Sequence, residues 1–267
     1  MSKKTYFISA DIEGITDVTH WDETEHGGQG YERAARQMTL EVAAACEAII
    51  EAGHDVVVRD GHDTARNILH DMLPRGVKLM RGWACDPGSM VAGIDDTYAG
   101  ILFIGYHSPG GTDFSPLAHT MSYTKIRSLK INGKLASEFT VNRLYAAQYG
   151  VPAIFISGDA GICGLAKEEV PDIVTVAVKE CKGNSTFNLH PQDSCQLIKE
   201  NVAKALQMDF ETPVLPEEFE VELSLNQHQA ITSAAANPHV TKLDNNTVLY
   251  KARTPREMNM IRESLTR

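Results

Sequence analysis

Cysteine is scarce and scattered: five residues in 267, Cys46, Cys85, Cys163, Cys181 and Cys195, with no C-x-x-C pair among them. An odd, dispersed set fits free thiols in a reducing compartment and argues against a disulfide framework. Long apolar runs are absent as well. No stretch approaches the roughly 20 residues that cross a bilayer, and the run at 5–10 is too short for a signal peptide. The expectation is a cytoplasmic protein that makes no use of a membrane. Basic residues are in the minority, 25 Lys and Arg against 35 Asp and Glu for a formal charge of -10, and form no dense stripe. A nucleic-acid partner is therefore not expected. The chain also has no internal repeat and no low-complexity tract. Its one glycine-rich stretch, His26-Gly27-Gly28-Gln29-Gly30, lacks the lysine and spacing of a phosphate loop and reads as a connection.

What is present is an ordinary globular composition, 43% hydrophobic and 22% charged, in a chain long enough to bury about three quarters of its unfolded surface without a staple. Short apolar runs at 6–10, 56–58, 101–104 and 153–156, with a weaker one at 174–178, alternate with helical patterns. Continuous apolar strands separated by helices predict a largely parallel sheet covered on both faces. Met38, Val42, Cys46, Ile49 and Ile50 stand at helical spacing within 31–52, with Gly53 as a stop. A second helix is expected over 137–149, ended by Gly150. Residues 120–131 alternate instead, and Asn132-Gly133 comes directly after them, which predicts a strand or hairpin leaving the main sheet. Around 210–218 the composition turns to proline and acid, the signature of a linker. The expected division is an α/β domain over 1–209 and a smaller C-terminal α+β lobe over 210–267. In that lobe 220–225 alternates like a strand, and Thr254-Pro255-Arg256-Glu257 carries the capping pattern of a last helix.

Chemistry collects at strand ends. The first strand runs into Asp11-Ile12-Glu13-Gly14, the second into Asp60-Gly61-His62 and the third into Gly105-Tyr106-His107. Open parallel sheets bind ligands outside the carboxyl ends of their strands, so neighbouring strands would bring Asp11, Glu13, His62 and His107 together. Paired carboxylates there repel each other and are costly to desolvate. A divalent cation compensates both, and a mixed carboxylate and imidazole set suits zinc or a first-row neighbour better than calcium. Taken singly each motif has a plainer reading, a helix cap, a surface turn or a loop histidine. Asp60 is a candidate to orient His62, and Asp95-Asp96 reads as a turn. By position alone Glu138 is an acid at a helix start and His119 an ordinary loop histidine.

These residues resemble the zinc-dependent D-aminopeptidase family. The resemblance is carried by Ser9-Ala10-Asp11-Ile12-Glu13-Gly14, Asp60-Gly61-His62, Ser89-Met90-Val91, Gly105-Tyr106-His107, Ala118-His119-Thr120-Met121, and Ile131-Asn132-Gly133 with Glu138 and Asn142. It runs in order over about 5–180 of the chain. It implies two divalent metal ions per chain, zinc by expectation, with Asp11 bridging. Glu13 and His107 would complete one position, and His62 and Glu138 the other. His119 would be the catalytic histidine, as nucleophile or as general acid/base. The implied substrates are short peptides with an N-terminal D-residue such as D-Ala, and the implied assembly is a homo-oligomer of stacked rings, a decamer. Two departures, Ala160 after Gly158-Asp159 and the lack of an arginine near 183–186, are expected to bear on the substrate pocket. The alternatives are another two-metal amidohydrolase or phosphoesterase, or a ring-forming peptide-binding protein without turnover.

Overall fold

The computed structural model describes residues 2–266. In chain order the elements are β1 (Thr5–Ala10), α1 (Tyr31–Glu51), β2 (Asp55–Asp60), β3 (Lys78–Met80), β4 (Ile101–Tyr106), β5 (Ile126–Ile131), β6 (Lys134–Leu135) and α2 (Glu138–Ala147). The second half contains β7 (Ala153–Asp159), α3 (Ala160–Glu169), β8 (Val174–Lys182), β9 (Ser185–Asn188), α4 (Pro191–Ala205), β10 (Phe219–Leu225), α5 (His228–Ala234), β11 (Val240–Lys242), β12 (Thr247–Ala252) and α6 (Pro255–Leu265).

Seven strands form one sheet in the order β3-β2-β1-β4-β7-β8-β9. Every pairing in it is parallel except β8 with the edge strand β9. The expected α/β architecture is thus the observed one, and its reason is visible in the side chains. Ile8, Val58 and Leu102 face a core closed by α1 and α4, while Phe7, Phe103 and Ile156 face a second core closed by α2 and α3. Strands with both faces buried have no room for alternation with polar residues.

The other five strands make an antiparallel sheet in the order β11-β12-β10-β5-β6. Its β5–β6 hairpin, turned at Asn132 and Gly133, comes from the middle of the chain and pairs with β10, some ninety residues further on. Phe219, Val221, Leu223 and Leu225 on one face of β10 pack with Ile231, Val248, Tyr250 and Met258 in a third core. Helix α2 lies between the two sheets: Phe139, Tyr145 and Ala146 belong to the core of the parallel sheet, and Val141 and Leu144 to the third. Thr254 caps α6 through the Glu257 N–H at 3.1 Å. No helix among the described residues is long and apolar enough to cross a membrane.

Candidate metal centre

β1 sits between β2 and β4, and Ala10 is in register with Asp60 on one side and Ile104 on the other. The three strands therefore end at one level, and the segments beyond them carry Asp11, Glu13, His62 and His107 to a common edge. Two glycines permit the close approach. A Cβ on Gly14 would lie 1.8 Å from the Tyr106 carbonyl oxygen, and one on Gly105 would lie 2.3 Å from that of Asp11. Gly105 also has φ +73°, a conformation that side chains resist. Glu138 arrives from across the site as the first residue of α2, whose N-cap Ser137 accepts from the Thr140 N–H. His119 comes from the long loop between β4 and β5. All six side chains are buried.

Each imidazole is oriented by a backbone carbonyl. His62 Nε2 is 2.7 Å from the Thr24 oxygen, and His107 Nδ1 and His119 Nδ1 are each 3.0 Å from the Ser108 and Leu117 oxygens. With one nitrogen tied to the main chain, the other faces the carboxylates and, when unprotonated, has its lone pair free for a metal ion, the arrangement a metal-ligating histidine requires. His62 Nδ1 stands 3.1 Å from both Asp11 Oδ1 and Glu13 Oε2. His107 Nε2 is 3.4 Å from Asp11 Oδ2 and 3.5 Å from Glu138 Oε1, and His119 Nε2 is also 3.5 Å from Glu138 Oε1. The rings of His107 and His119 stack at 4.2 Å. Ligand atoms of Asp11, Glu13 and His107 fall within 4.8 Å of one another, as do those of His107, His119 and Glu138. His62 thus meets Asp11 and Glu13, while Glu138 meets the other two imidazoles; no direct contact joins His62 to Glu138 among the described residues.

Asp11 Oδ2, Glu13 Oε2 and His107 Nε2 are buried without a hydrogen-bond partner. They lie close enough to neighbouring charges for attraction but not at hydrogen-bonding angles, and atoms of this kind are costly to bury unless something completes them. The electrostatics say the same. Burial pushes the Asp11 carboxyl up, yet the hydrogen bonds and charges of His107 and His62 outweigh it and hold the acid well below its usual range. Burial pushes both imidazoles down, yet Glu13 and Asp11 at His62, and Glu138 and Asp11 at His107, hold them well above 6.5. The cluster demands positive charge, and in the bare chain the imidazoles supply it from within. Carboxylate and imidazole donors, orphaned and buried, fit a divalent cation of the zinc type.

A family model described as D-aminopeptidase matches residues 5–263 of the chain. The chain belongs to the D-aminopeptidase family. It is 33% identical over 213 residues to a D-aminopeptidase of Bacillus subtilis (strain 168), covering 79% of this chain and 77% of that one. Its fold is similar to the solved structure of the Zn-dependent D-aminopeptidase DppA from Bacillus subtilis, a self-compartmentalizing protease, with a TM-score of 0.92 and 27% identity over 98% of this chain and 96% of that one.

Around this cluster of the D-aminopeptidase chain several residues act in ways that sequence reasoning did not single out. Asp159, at the end of β7, accepts from the Ser108 N–H at 2.8 Å and so fixes the turn just beyond His107. Asp60 does not touch the His62 ring, which is held by Thr24; it accepts from the Asn67 and Ile68 N–H groups and from Asn67 Nδ2 at 2.8 Å, and that same amide donates to the His62 carbonyl at 2.7 Å. Asn142 donates to the Tyr106 hydroxyl at 2.9 Å, in a buried chain that continues to Ser9 at 2.7 Å. Trp21 stacks on Tyr123 at 4.0 Å and turns its ring edge to His119 at 5.2 Å. With Trp83, Glu25 and Asp63 these aromatics wall a cleft of about 340 Å³ that opens onto Asp11, Glu13 and Glu138. Neither Ala160 nor residues 183–186 line it. Asp95 closes a surface turn onto the Thr97 N–H.

Proposed function

We propose that the chain is a dinuclear zinc aminopeptidase that hydrolyses short peptides, with N-terminal D-residues such as D-Ala as its substrates. Asp11, Glu13, His62, His107 and Glu138 hold the two ions, and His119 serves as the catalytic histidine. The observation that carries this reading is the set of three buried orphan atoms, Asp11 Oδ2, Glu13 Oε2 and His107 Nε2, beside imidazoles tied to the main chain through their other nitrogens. Three carboxylates face two divalent ions in this scheme, which leaves one net positive charge where an oxyanion develops. When bound, the ions would supply Lewis acidity toward the scissile carbonyl and toward water near neutral pH.

The remaining work falls to the protein. His119 Nε2 faces the cleft with its Nδ1 tied to Leu117, so it is set to hold or deliver a proton at the leaving nitrogen. Glu25 and Asp63 at the rim favour a free α-ammonium, and the Trp21 and Tyr123 faces favour the peptide's apolar side. Among the described residues no lysine or arginine lines the cleft, which favours carbon–nitrogen over phosphoester hydrolysis.

The enzyme works, in this reading, as a ring-shaped homo-oligomer in the cytoplasm. Support comes from the self-compartmentalizing character of the DppA relative and from the five free thiols. Metal analysis and an assay of D-Ala and L-Ala dipeptides with and without chelator test the chemistry. About two zinc ions per chain and chelator-sensitive cleavage of the D-peptides are expected, and a metal-poor chain inert to both would refute it. Light scattering reads the assembly, for which a monomer is the excluding result, and cell fractionation reads the location.

A further inference from the structure

A buried ammonium lies behind the metal centre, on a strand to which the mechanism assigns nothing. Lys179 belongs to β8, separated from β1 by β4 and β7, and is only 2% exposed. Its Nζ donates to the carbonyl oxygens of Glu13 at 2.5 Å, Ile15 at 3.2 Å and Val18 at 2.5 Å. An ammonium has three N–H bonds, and here each finds an oxygen. Burial of such a charge is tolerated only when its donors are all matched.

The same loop is held from two other directions. Glu41 on α1 accepts from the Thr16 N–H at 3.0 Å, and Thr16 Oγ1 donates to Ser194 Oγ on α4 at 2.6 Å. Residues 13–18 are therefore shaped by side chains reaching in from β8, α1 and α4. Glu13 is part of this loop, and the bonds from Lys179, Glu41 and Ser194 all fall within residues 13–18. Glu138 is fixed by different means, the start of α2 and the Met121 N–H at 2.6 Å.

We propose that Lys179 is a positioning residue for the Glu13 side of the metal centre: its ammonium gathers the three carbonyls, sets the path of residues 13–18 and so aims the Glu13 carboxylate. The inference rests on the two-metal reading above. It has a signature that simple packing lacks, because removing the ammonium weakens the metal position that uses Glu13 and spares the one that uses Glu138.

The test is a zinc titration of the metal-stripped full-length protein against a chromophoric chelator, for the wild type, Lys179→Met and Lys179→Gln, with steady-state kinetics on a D-Ala dipeptide. In Lys179→Met one zinc is expected to bind about 10–100-fold more weakly, as when a partner behind a ligand is lost, while the other stays within about threefold. The kcat falls in proportion, with a smaller change in KM. Amide exchange in residues 13–18 quickens. Two unaltered affinities, or an equal loss at both positions in a folded chain, would overturn the proposal. Should Lys179→Met not fold, Lys179→Gln is judged by the same titration and the same amides. A wild-type chain that takes up no zinc would instead remove the two-metal reading itself, and this inference with it.

Discussion

The two regions on either side of helix α2 are built on opposite principles. On the side of the antiparallel sheet, Phe219, Val221, Leu223 and Leu225 alternate with Glu220 and Glu222, and the buried face belongs to an apolar core. That core is held by its own burial, worth about 1.5–3 kcal/mol for each large side chain, and Asn259 and Arg262 of α6 are its buried polar exceptions. On the side of the parallel sheet, the same depth of burial is spent on three carboxylates and three imidazoles. Asp63, Ala65 and Met121 nearby adopt φ of 38°, 54° and 67°, each of which costs on the order of 1 kcal/mol or more. One region is held mainly by apolar burial, and the other gathers like charges that call for a cation. Function is located where the local rules of folding are broken together, by orphaned atoms, like charges and backbone strain.

The sharpest way to break this contrast is Asp11→Ala. Removing the carboxylate shared between His62 and His107 is expected to lower kcat/KM by roughly 10³-fold or more, the equivalent of several kcal/mol of Lewis-acid stabilisation. Zinc content should fall with it. A variant of near wild-type activity would mean that the cluster is not the reacting centre. His119→Ala comes next, with a loss of about 10²–10⁴-fold in kcat while metal analysis still finds both ions; loss of metal would make His119 a ligand.

On the other side of the comparison, Leu223→Ala should destabilise the fold by about 2–5 kcal/mol through a cavity in the third core. Denaturant unfolding measures it, and the zinc content of the folded fraction should be unchanged. A selective loss of metal there would erase the distinction between the regions.

A smaller effect has a sign that depends on the metal. In the stripped protein His62 and His107 are held well above 6.5, so the stability they contribute is complete below that value and lost as the pH rises through their folded values. Asp11 is held below 3.8 and Glu138 below 4.5, so their contribution is present above those values and lost in acid. Melting temperatures of the stripped chain should thus decline on the alkaline side. The zinc-loaded chain, whose imidazoles must be unprotonated, should gain over the same window. Parallel profiles for the two forms would contradict this. The least effect is that of Thr254→Ala, which removes the α6 cap for about 1 kcal/mol and should leave the kinetics untouched.

Much of the metal end was legible in the sequence because parallel strands announce themselves as short, wholly apolar runs, and the residues directly after each run are the ones presented at the sheet edge. Asp11, Glu13, His62 and His107 were found that way; Glu138 and His119 needed the family resemblance. The pairing of β5 with β10 was hidden, since nothing in residues 126–131 specifies a partner some ninety residues on. Thr24 was invisible for a different reason: it acts through a carbonyl that every residue possesses. Lys179 was concealed by its type, for a lysine in a strand reads as a solvated residue, and only the fold shows three carbonyls converging on it.

Helix α2 joins the candidate metal centre to both sheets. Its first residue, Glu138, faces the imidazoles, while its flanks are wedged between both sheets. A ligand that binds the native form alone raises stability with the logarithm of its free concentration, and here that gain is delivered to the one element both halves share. Under the proposed two-metal reading, resistance of the protein to proteolysis should accordingly rise with free zinc.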